Sequence, residues 1–236
     1  MSAPTVGLCL LTFNELEGCR RDVPLLPRGE FDEVFCVDGG SKDGTGDYLK
    51  GLGIPVHVQP KRGLNAAYVH AARVAKTDAL VVFFPKGTVP VSIVSDIRKA
   101  LLAGPDLVAA SRNMAGGRNE EDADVVRPRK WFVQVLGALV ALLWRREGAY
   151  LTDILHGIKG FRVEAFKAMR VEEEGHSVDL CMAARSYKLR QSRTEVPAVE
   201  SPRFYGETHF KALAGGTHLL GYLAREVLGA NPGQAG

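Results

Sequence analysis

The chain has 236 residues, of which 46% are hydrophobic and 24% are charged, and its formal net charge is +3. These values are typical of one globular domain with a large core. The charge is too small to indicate a nucleic-acid-binding protein, so we expect no nucleic-acid partner. It is compatible with a phosphate-bearing substrate or an anionic membrane surface.

Cysteine usage and the N-terminal segment give two further expectations. The four cysteines form no C-x-x-C pair, which argues against a zinc site. The N-terminus has no charged-then-apolar signal pattern, and no apolar run reaches the ~18–20 residues that a membrane-spanning helix needs. We therefore expect a cytoplasmic protein, a location that includes the inner face of the membrane.

Continuous apolar runs alternate with helical patterns through the first half of the chain. Five runs predict strands at residues 5–11, 31–37, 56–59, 79–84 and 107–110, and three stretches predict helices at residues 43–52, 64–75 and 92–103. This alternation is typical of an α/β fold with a mostly parallel sheet and helices on both faces. Ligands bind such sheets at the carboxyl ends of the strands, where Asn14, Asp38 and Lys86 fall.

Two apolar or amphipathic helices are predicted in the second half of the chain. Residues 131–144 are apolar on nearly every side and are flanked by basic residues: Arg127, Arg129, Lys130, Arg145 and Arg146. Such a segment forms either a core helix or an interfacial helix on a membrane surface, and the sequence leaves both open. Residues 213–228 predict a second amphipathic helix, and residues 229–236 predict a disordered tail.

Polar motifs follow the first two predicted strands. Residues 10–15 read L-L-T-F-N-E, and residues 37–45 read V-D-G-G-S-K-D-G-T. A carboxylate at a strand end, such as Asp38, accepts hydrogen bonds from base N–H groups and ribose hydroxyls, and Gly39 lets a flat base approach the backbone. The alternatives are a surface turn acid for Asp38 and a solvated helix start for Glu15.

These two motifs, in this order and after strands, resemble the opening of family 2 glycosyltransferases, which have the GT-A fold. Residues 61–67, K-R-G-L-N-A-A, resemble the N-x-G-x-x-x-A segment that runs past the nucleotide in that family. The resemblance implies a nucleotide-sugar donor. It places the nucleotide against Thr12, Asn14, Glu15, Asp38, Gly39 and Arg62. A solvated surface charge is the alternative for Arg62.

The later motifs resemble one branch of that family, the dolichol-phosphate mannosyltransferase-like enzymes. They are S-R-N-M-A-G-G at residues 111–117, D-I-L-H-G-I-K-G-F-R at residues 153–162, E-V-P at residues 195–197 and R-F-Y-G-E-T-H at residues 203–209. This branch moves a sugar from a nucleotide donor to a polyprenyl phosphate at the membrane face. The resemblance therefore implies a lipid-phosphate or glycan acceptor, held by Arg112, Arg129, His156 and Arg203. A surface role is the alternative for Arg129, and a structural loop role for His156.

The resemblance also implies an inverting transfer and its catalytic residues. An acceptor phosphate is already anionic near pH 7 and needs no strong base, whereas a hydroxyl acceptor requires a positioned carboxylate. Asp179 matches the acidic position of the family and is the predicted base, with a helix-face acid as the alternative. Asp153 is the second acidic candidate, with an orienting or structural role.

One standard part of the family's machinery is missing from the sequence. The strand that normally ends in the metal-binding D-x-D motif ends here in Phe84-Pro85-Lys86. Phenylalanine cannot ligate a metal and an ammonium repels one, so the sequence does not support Mg²⁺ or Mn²⁺ as a cofactor. Three interpretations stay open: Lys86 itself neutralises the diphosphate, the chain binds nucleotide sugars without turnover, or the alignment of the motif is shifted. A shift to the nearby acid, Asp78, is disfavoured because Asp78 precedes the strand.

The resemblance runs through most of the chain, so we expect one domain over residues 1–228. Residues 1–110 are the predicted nucleotide-binding half, and residues 111–228 are the predicted acceptor-binding half. A sugar-phosphate nucleotidyltransferase on a related sheet is disfavoured because the first strand leads into T-F-N-E rather than a Gly/Arg-rich phosphate loop. The oligomeric state is left open.

Overall fold

The computed structural model of the protein describes residues 3–123, 127–202 and 212–230. Its strands are β1 Val6–Thr12, β2 Glu33–Asp38, β3 Val56–Val58, β4 Ala79–Phe83, β5 Leu107–Ser111, β6 Lys159–Arg162 and β7 Arg193–Pro197. They form one sheet in the order β3-β2-β1-β4-β6-β5-β7. The β6 strand runs antiparallel to β4 and β5, and the other neighbours are parallel.

Helices cover both faces of this sheet. They are α1 Leu16–Asp22, α2 Thr45–Gly51, α3 Leu64–Val74, α4 Ile93–Leu102, α5 Pro128–Trp144, α6 Val163–Ala168, α7 Val178–Lys188 and α8 Ala212–Val227. Short 3₁₀ helices lie at Val23–Leu25, Arg28–Glu30 and Glu120–Ala123. The predicted fold class, a mostly parallel α/β sheet with helices on both faces, is confirmed.

The central strands bury side chains on both faces, which is why their sequences are continuously apolar rather than alternating. All seven residues of β1 are buried. One apolar cluster joins Leu11 of β1 to Tyr68 of α3 and Leu180 of α7. The other cluster joins Leu10 of β1 to Ile97 of α4 on the opposite face. The sheet is therefore held from both sides, and its carboxyl edge is left to form a site.

The five predicted strands and the three helices predicted between them are present, within a few residues at each end. The structure adds α1, α6 and α7, and it adds β6 and β7 to the sheet. The sequence does not predict β6 because K-G-F-R is neither an apolar run nor an alternating one. Its partners are set by non-local pairing with β4 and β5, which local patterns do not encode.

Asp78 lies at the start of β4, away from the carboxyl edge. Its carboxylate accepts hydrogen bonds from the N–H and the hydroxyl of Thr5, both at 2.8 Å. Thr5 directly precedes β1, which runs parallel to β4, so both residues mark the amino edge of the sheet. The interpretation that displaces the metal motif to Asp78 is therefore wrong.

The α5 helix packs on the protein with one side and exposes apolar residues on the other. Its buried side packs against the protein through Val133, Leu136 and Val140. Its exposed side, which we call the α5 outer face, consists of Trp131, Val135, Leu139 and Leu142. The exposed fraction is 68% for Val135 and 78% for Leu142. Among the helices of the described residues, none is long and apolar enough to cross a membrane.

Candidate active site

Asp38 organises the turn that follows β2. Register pairs it with Thr12 at the end of β1, and the Thr12 hydroxyl donates to Asp38 Oδ1 at 2.7 Å. The same carboxylate accepts the N–H groups of Gly40 and Ser41 at 3.0 and 2.7 Å, and the Ser41 hydroxyl at 2.6 Å. The carboxylate is buried, and its hydrogen bonds fix the conformation of the turn.

Asn14 ties the loop after β1 to the loop after β2. Its side-chain carbonyl accepts the N–H of Lys42 at 2.9 Å, and its own N–H donates to the Ser41 hydroxyl at 2.8 Å. Its φ is +52°, in the left-handed region that asparagine tolerates. Beside it, Glu15 is buried and its N–H donates to the Thr45 hydroxyl at 3.1 Å. The two sequence motifs are thus bonded to each other at one edge of the sheet.

A cavity of about 470 Å³ opens over the carboxyl ends of β1, β2 and β4, and we call it the edge cavity. Its lining includes four of the predicted nucleotide-binding residues: Thr12, Glu15, Gly39 and Arg62. Asn14 and Asp38 are not among its lining residues. Lys86 lines the same cavity. The structure therefore brings most of the predicted donor-side residues to one space and places Asn14 and Asp38 in its supporting turns.

Gly39 is required by the close approach of Phe13, which also lines the edge cavity. A Cβ atom on Gly39 would lie 3.0 Å from Phe13 Cδ2 and 3.2 Å from its Cβ. A larger residue would push the ring away from the wall of the cavity. The sequence predicts a glycine here for the approach of a base, and the structure shows a second reason in this packing contact.

The end of β4 presents an aromatic ring and an ammonium where the family has carboxylates. Phe84 and Lys86 both line the edge cavity. The Phe84 ring packs on Gly157, where an added Cβ would lie 3.0 Å from Phe84 Cε2. Neither side chain offers an oxygen ligand, and a hard divalent cation needs several. Among the described residues, no group of three His, Cys, Asp or Glu side chains could hold a metal ion, so these residues do not fit a resident divalent ion.

A second cavity of about 570 Å³ lies between α5 and α8, and we call it the α5–α8 cavity. Its apolar walls include Pro128, Phe132, Leu219 and Leu220. Its polar lining includes Arg112, Arg129 and Asp179. Leu64 and His176 line both cavities, and the N–H of Leu64 donates to His176 Nδ1 at 3.5 Å. The two cavities therefore adjoin at this pair.

Arg112 is held by two carboxylates. Its Nε and Nη2 donate to the two oxygens of Asp153 at 2.7 and 3.0 Å, and its Nη1 donates to Glu200 Oε2 at 2.7 Å. Asp153 is fully buried, and Glu195 accepts its backbone N–H at 3.1 Å. Burial raises the pKa of the Asp153 carboxyl, but the Arg112 guanidinium more than offsets this and holds that pKa below its ordinary value. Asp153 is thus placed to orient Arg112.

His156 lies beside this cluster but is not among the lining residues of either cavity. It is buried, and its Nδ1 accepts the N–H of Ile158 at 3.2 Å. Burial lowers the pKa of His156 to about 4, and the nearby Arg112 charge acts in the same direction. The imidazole is therefore neutral at pH 7. Its contacts are those of a structural residue in the loop before β6.

Asp179 forms a buried ion pair with a lysine that the sequence does not single out. Lys159 Nζ of β6 donates to Asp179 Oδ1 of α7 at 2.5 Å and also donates to the backbone carbonyl of His156. Burial raises the pKa of the Asp179 carboxyl above its ordinary value, and the Lys159 ammonium opposes this rise. Asp179 lines the α5–α8 cavity, which adjoins the edge cavity at Leu64 and His176.

The other predicted phosphate-binding arginines occupy different positions. Arg129 is exposed at the start of α5, lines the α5–α8 cavity and pairs with Glu120 at 2.5 Å. Arg203 lies outside the described residues, as do residues 231–236 of the predicted tail.

Sequence reasoning misses four residues of this site: Lys159, His176, Glu195 and Glu200. Lys159 begins β6, and a lysine at the start of a strand without an apolar run gives no signal that it is buried. Glu195 belongs to the E-V-P motif, and its carboxylate accepts the N–H and hydroxyl of Thr152, both at 2.8 Å. Nothing in the local sequence marks His176 or Glu200.

Solved glycosyltransferases share this fold. Glucosyl-3-phosphoglycerate synthase from Mycobacterium tuberculosis, in complex with Mn²⁺, uridine-diphosphate-glucose and phosphoglyceric acid, has a TM-score of 0.67 and 17% identity over 93% of this chain and 78% of that chain. The same enzyme with uridine diphosphate has a TM-score of 0.68 and 18% identity over 93% and 79% of the two chains. The architecture is therefore that of the GT-A glycosyltransferases.

The profile of glycosyl transferase family 2 matches residues 10–170, and the chain belongs to this family of enzymes. The undecaprenyl-phosphate mannosyltransferase of Micrococcus luteus is 27% identical in an alignment of 215 residues that covers 84% of each chain. Glycosyltransferase AglJ of Haloferax volcanii is 25% identical in an alignment of 232 residues that covers 96% of this chain and 74% of that protein. The predicted family and its dolichol-phosphate mannosyltransferase-like branch are confirmed.

Proposed function

We propose that the chain is an inverting glycosyltransferase that moves a sugar from a nucleotide-sugar donor to a polyprenyl phosphate. One observation carries the proposal: two ligand-sized cavities of different character adjoin at Leu64 and His176. The edge cavity lies where α/β sheets bind nucleotides, and residues 1–110 supply most of its lining. The α5–α8 cavity, lined mainly from residues 111–228, takes the acceptor.

The lining of the α5–α8 cavity suits an amphipathic anion. Arg112 and Arg129 offer guanidinium groups to a phosphate, while Phe132, Leu219 and Leu220 offer apolar surface to an isoprenoid chain. A glycan acceptor would leave this apolar surface without a partner. The undecaprenyl-phosphate mannosyltransferase of Micrococcus luteus, by its name, acts on an acceptor of this chemistry.

The proposed reaction is a single displacement. An acceptor phosphate oxygen attacks the anomeric carbon, the bond from that carbon to the donor phosphate oxygen breaks, and the nucleoside diphosphate leaves with the electron pair. The attacking phosphate is already anionic near pH 7, so no strong base is needed. Asp179 then orients the acceptor or the sugar hydroxyls by accepting hydrogen bonds, and Lys159 holds its carboxylate in place.

Lys86 takes over the charge that a divalent ion supplies in relatives with D-x-D. Two carboxylates plus a divalent ion have no net charge but direct +2 at the leaving group, whereas the Lys86 ammonium directs +1. Arg62 adds a second cation to the lining of the edge cavity. We propose that the chain therefore turns over without a divalent metal.

The α5 outer face supports a position of the acceptor cavity at a membrane surface. Its exposed apolar residues lie on the same helix as Pro128 and Phe132 of the α5–α8 cavity, and basic residues lie at both ends of the helix. Trp and aliphatic residues with basic flanks suit the interface of an anionic bilayer. Docking there would bring a polyprenyl chain directly to the cavity.

A transfer assay tests this function. The purified chain is incubated with EDTA, farnesyl phosphate and a panel of nucleotide sugars that differ in base and hexose, and the lipid-linked sugar is measured by mass spectrometry. We expect one donor to give a product, and we expect the anomeric configuration of that product to be opposite to that of the donor. Calorimetric binding of a nucleoside diphosphate without any transfer would instead support the alternative, a nucleotide-sugar-binding homologue without turnover.

A further inference from the structure

Glu200 and Asp153 hold the same guanidinium but differ in how firmly they are fixed. Asp153 is fully buried and accepts both Nε and Nη2 of Arg112. The side chain of Glu200 is 21% exposed, and Arg112 Nη1 is the hydrogen-bond donor that it meets among the described residues. One carboxylate is a fixed support, and the other is a single exchangeable contact.

The charges of this cluster do not favour a second anion. Arg112 carries +1, and the two carboxylates carry −2, so the three groups sum to −1. His156 is neutral at pH 7 and does not alter this sum. A phosphate that approached Arg112 with Glu200 in place would meet a net negative charge, and Nε, Nη1 and Nη2 of the guanidinium each already donate to a carboxylate.

We infer that Glu200 occupies the place of the acceptor phosphate on Arg112 and that the acceptor binds by displacing this carboxylate. The inference rests on the proposed function of the α5–α8 cavity. Removal of Glu200 leaves Arg112, which lines the α5–α8 cavity, and Asp153 as a neutral pair in which Nη1 has lost its carboxylate partner. A phosphate dianion exceeds a carboxylate in charge and in acceptor oxygens, so it competes for that donor.

This arrangement makes Glu200 a residue that sets the affinity for the acceptor phosphate. A neutral alcohol gains nothing from displacing a carboxylate, and its hydroxyl cannot replace the charge that Arg112 loses. An acceptor with a terminal phosphate gains a charged contact with Arg112 and replaces the charge of the displaced carboxylate. The contact therefore lowers the affinity for a phosphate acceptor by the cost of displacement, and it keeps Arg112 oriented and satisfied while no acceptor is bound.

The test is calorimetric titration of the full chain with farnesyl phosphate, in EDTA, for the wild type and for Glu200→Gln. Glutamine keeps the shape and the acceptor oxygen but removes the charge. We expect the dissociation constant for farnesyl phosphate to fall on the order of tenfold, with no change for farnesol. In steady-state assays the acceptor KM falls with it, and the donor KM does not move. Glu200→Ala, a second variant, is expected to shift binding in the same direction.

The control is Glu164→Gln, which makes the same charge change at an exposed pair with Lys167 and is expected to leave binding unchanged. Unchanged or weaker binding of farnesyl phosphate by both Glu200 variants would overturn the inference and make Glu200 a support for Arg112. A loss of kcat with unchanged binding would overturn it too, by placing Glu200 at the reacting atoms. If the wild type transfers sugar and the variants do not bind more tightly, this inference alone fails; if no form binds or transfers, the proposed function fails with it.

Discussion

Lys86 Nζ lies 5.1 Å from the centre of the Phe84 ring, and both side chains line the edge cavity at the end of β4. A cation over an aromatic face is attracted by the ring quadrupole, at about 0.5–2 kcal/mol. The ring is itself fixed by its contact with Gly157. The pair thus presents a positioned positive charge at the strand end where the proposed leaving group develops negative charge.

Removal of the Lys86 ammonium should slow the chemical step. For Lys86→Ala we expect kcat to fall on the order of 100-fold, with a smaller change in donor KM, because the charge matters most as the diphosphate departs. Steady-state kinetics in EDTA measures both values. Lys76→Ala, at the amino edge of the sheet, serves as the matched control and should keep the wild-type rate. Full activity of Lys86→Ala would exclude a role for this ammonium in turnover.

The Lys159–Asp179 pair should show the energetics of a buried ion pair. Lys159→Met leaves the Asp179 carboxylate buried without its partner, so we expect a loss of about 3–5 kcal/mol in the free energy of unfolding. The double variant Lys159→Met/Asp179→Leu should regain much of this loss, because it removes the unpaired charge. Urea denaturation measures all three proteins. Additive losses in the double variant would show that the two groups do not interact.

His156 should make stability depend on pH over a defined range. Its folded-state pKa is lowered to about 4 from an ordinary value near 6.5. The unfolded chain therefore binds a proton that the native protein does not, so the contribution is complete above pH 6.5 and is lost as the pH falls towards 4. The size is about 3 kcal/mol.

Denaturation of the wild type and of His156→Asn at several pH values measures this contribution. The asparagine side-chain carbonyl replaces Nδ1 as the acceptor for Ile158 N–H and does not titrate. We expect the variant to lose less stability than the wild type between pH 6.5 and 4. His218→Asn, which changes an exposed histidine, is the control. Equal slopes in His156→Asn and the wild type would contradict the prediction.

The α5 outer face should govern binding to vesicles. Val135→Glu and Leu142→Glu place charges on its most exposed residues, so we expect at least a tenfold weaker affinity for vesicles of anionic lipid with no change in the unfolding midpoint. Sedimentation with the vesicles measures the bound fraction. Leu25→Glu changes an exposed leucine in another part of the structure and should bind as the wild type does. Wild-type binding by all three variants would rule out this docking face.

The sequence predicts the sheet and the strand ends well because both depend on local patterns. Apolar runs identify β1, β2 and β4, and the residues that follow them meet at one edge because parallel strands end together. The sequence does not show which hydrogen-bond donors a carboxylate accepts in the folded protein. Asp38 sits at the predicted edge, but its oxygens are taken up by the turn that it stabilises.

The ion pairs of the second half depend on contacts that no local pattern encodes. Lys159 and Asp179 meet because the antiparallel β6 packs beneath α7, and a four-residue strand without an apolar run gives no warning of this. Arg112 and Glu200 are 88 residues apart and meet only after β5 and β7 have paired. Charge partners of this kind are set by the topology of the sheet. The sequence therefore predicts Arg112 as a site residue but does not predict its partner Glu200.

The most direct measurement of the central claim is transfer to farnesyl phosphate in EDTA, with lipid-linked sugar and released nucleoside diphosphate measured together for the wild type and Lys86→Ala. The account predicts equal amounts of the two products from the wild type, no stimulation by added Mn²⁺, and a rate on the order of 100-fold lower for the variant. Product that forms only after Mn²⁺ is added, or that forms equally fast in Lys86→Ala, would contradict it.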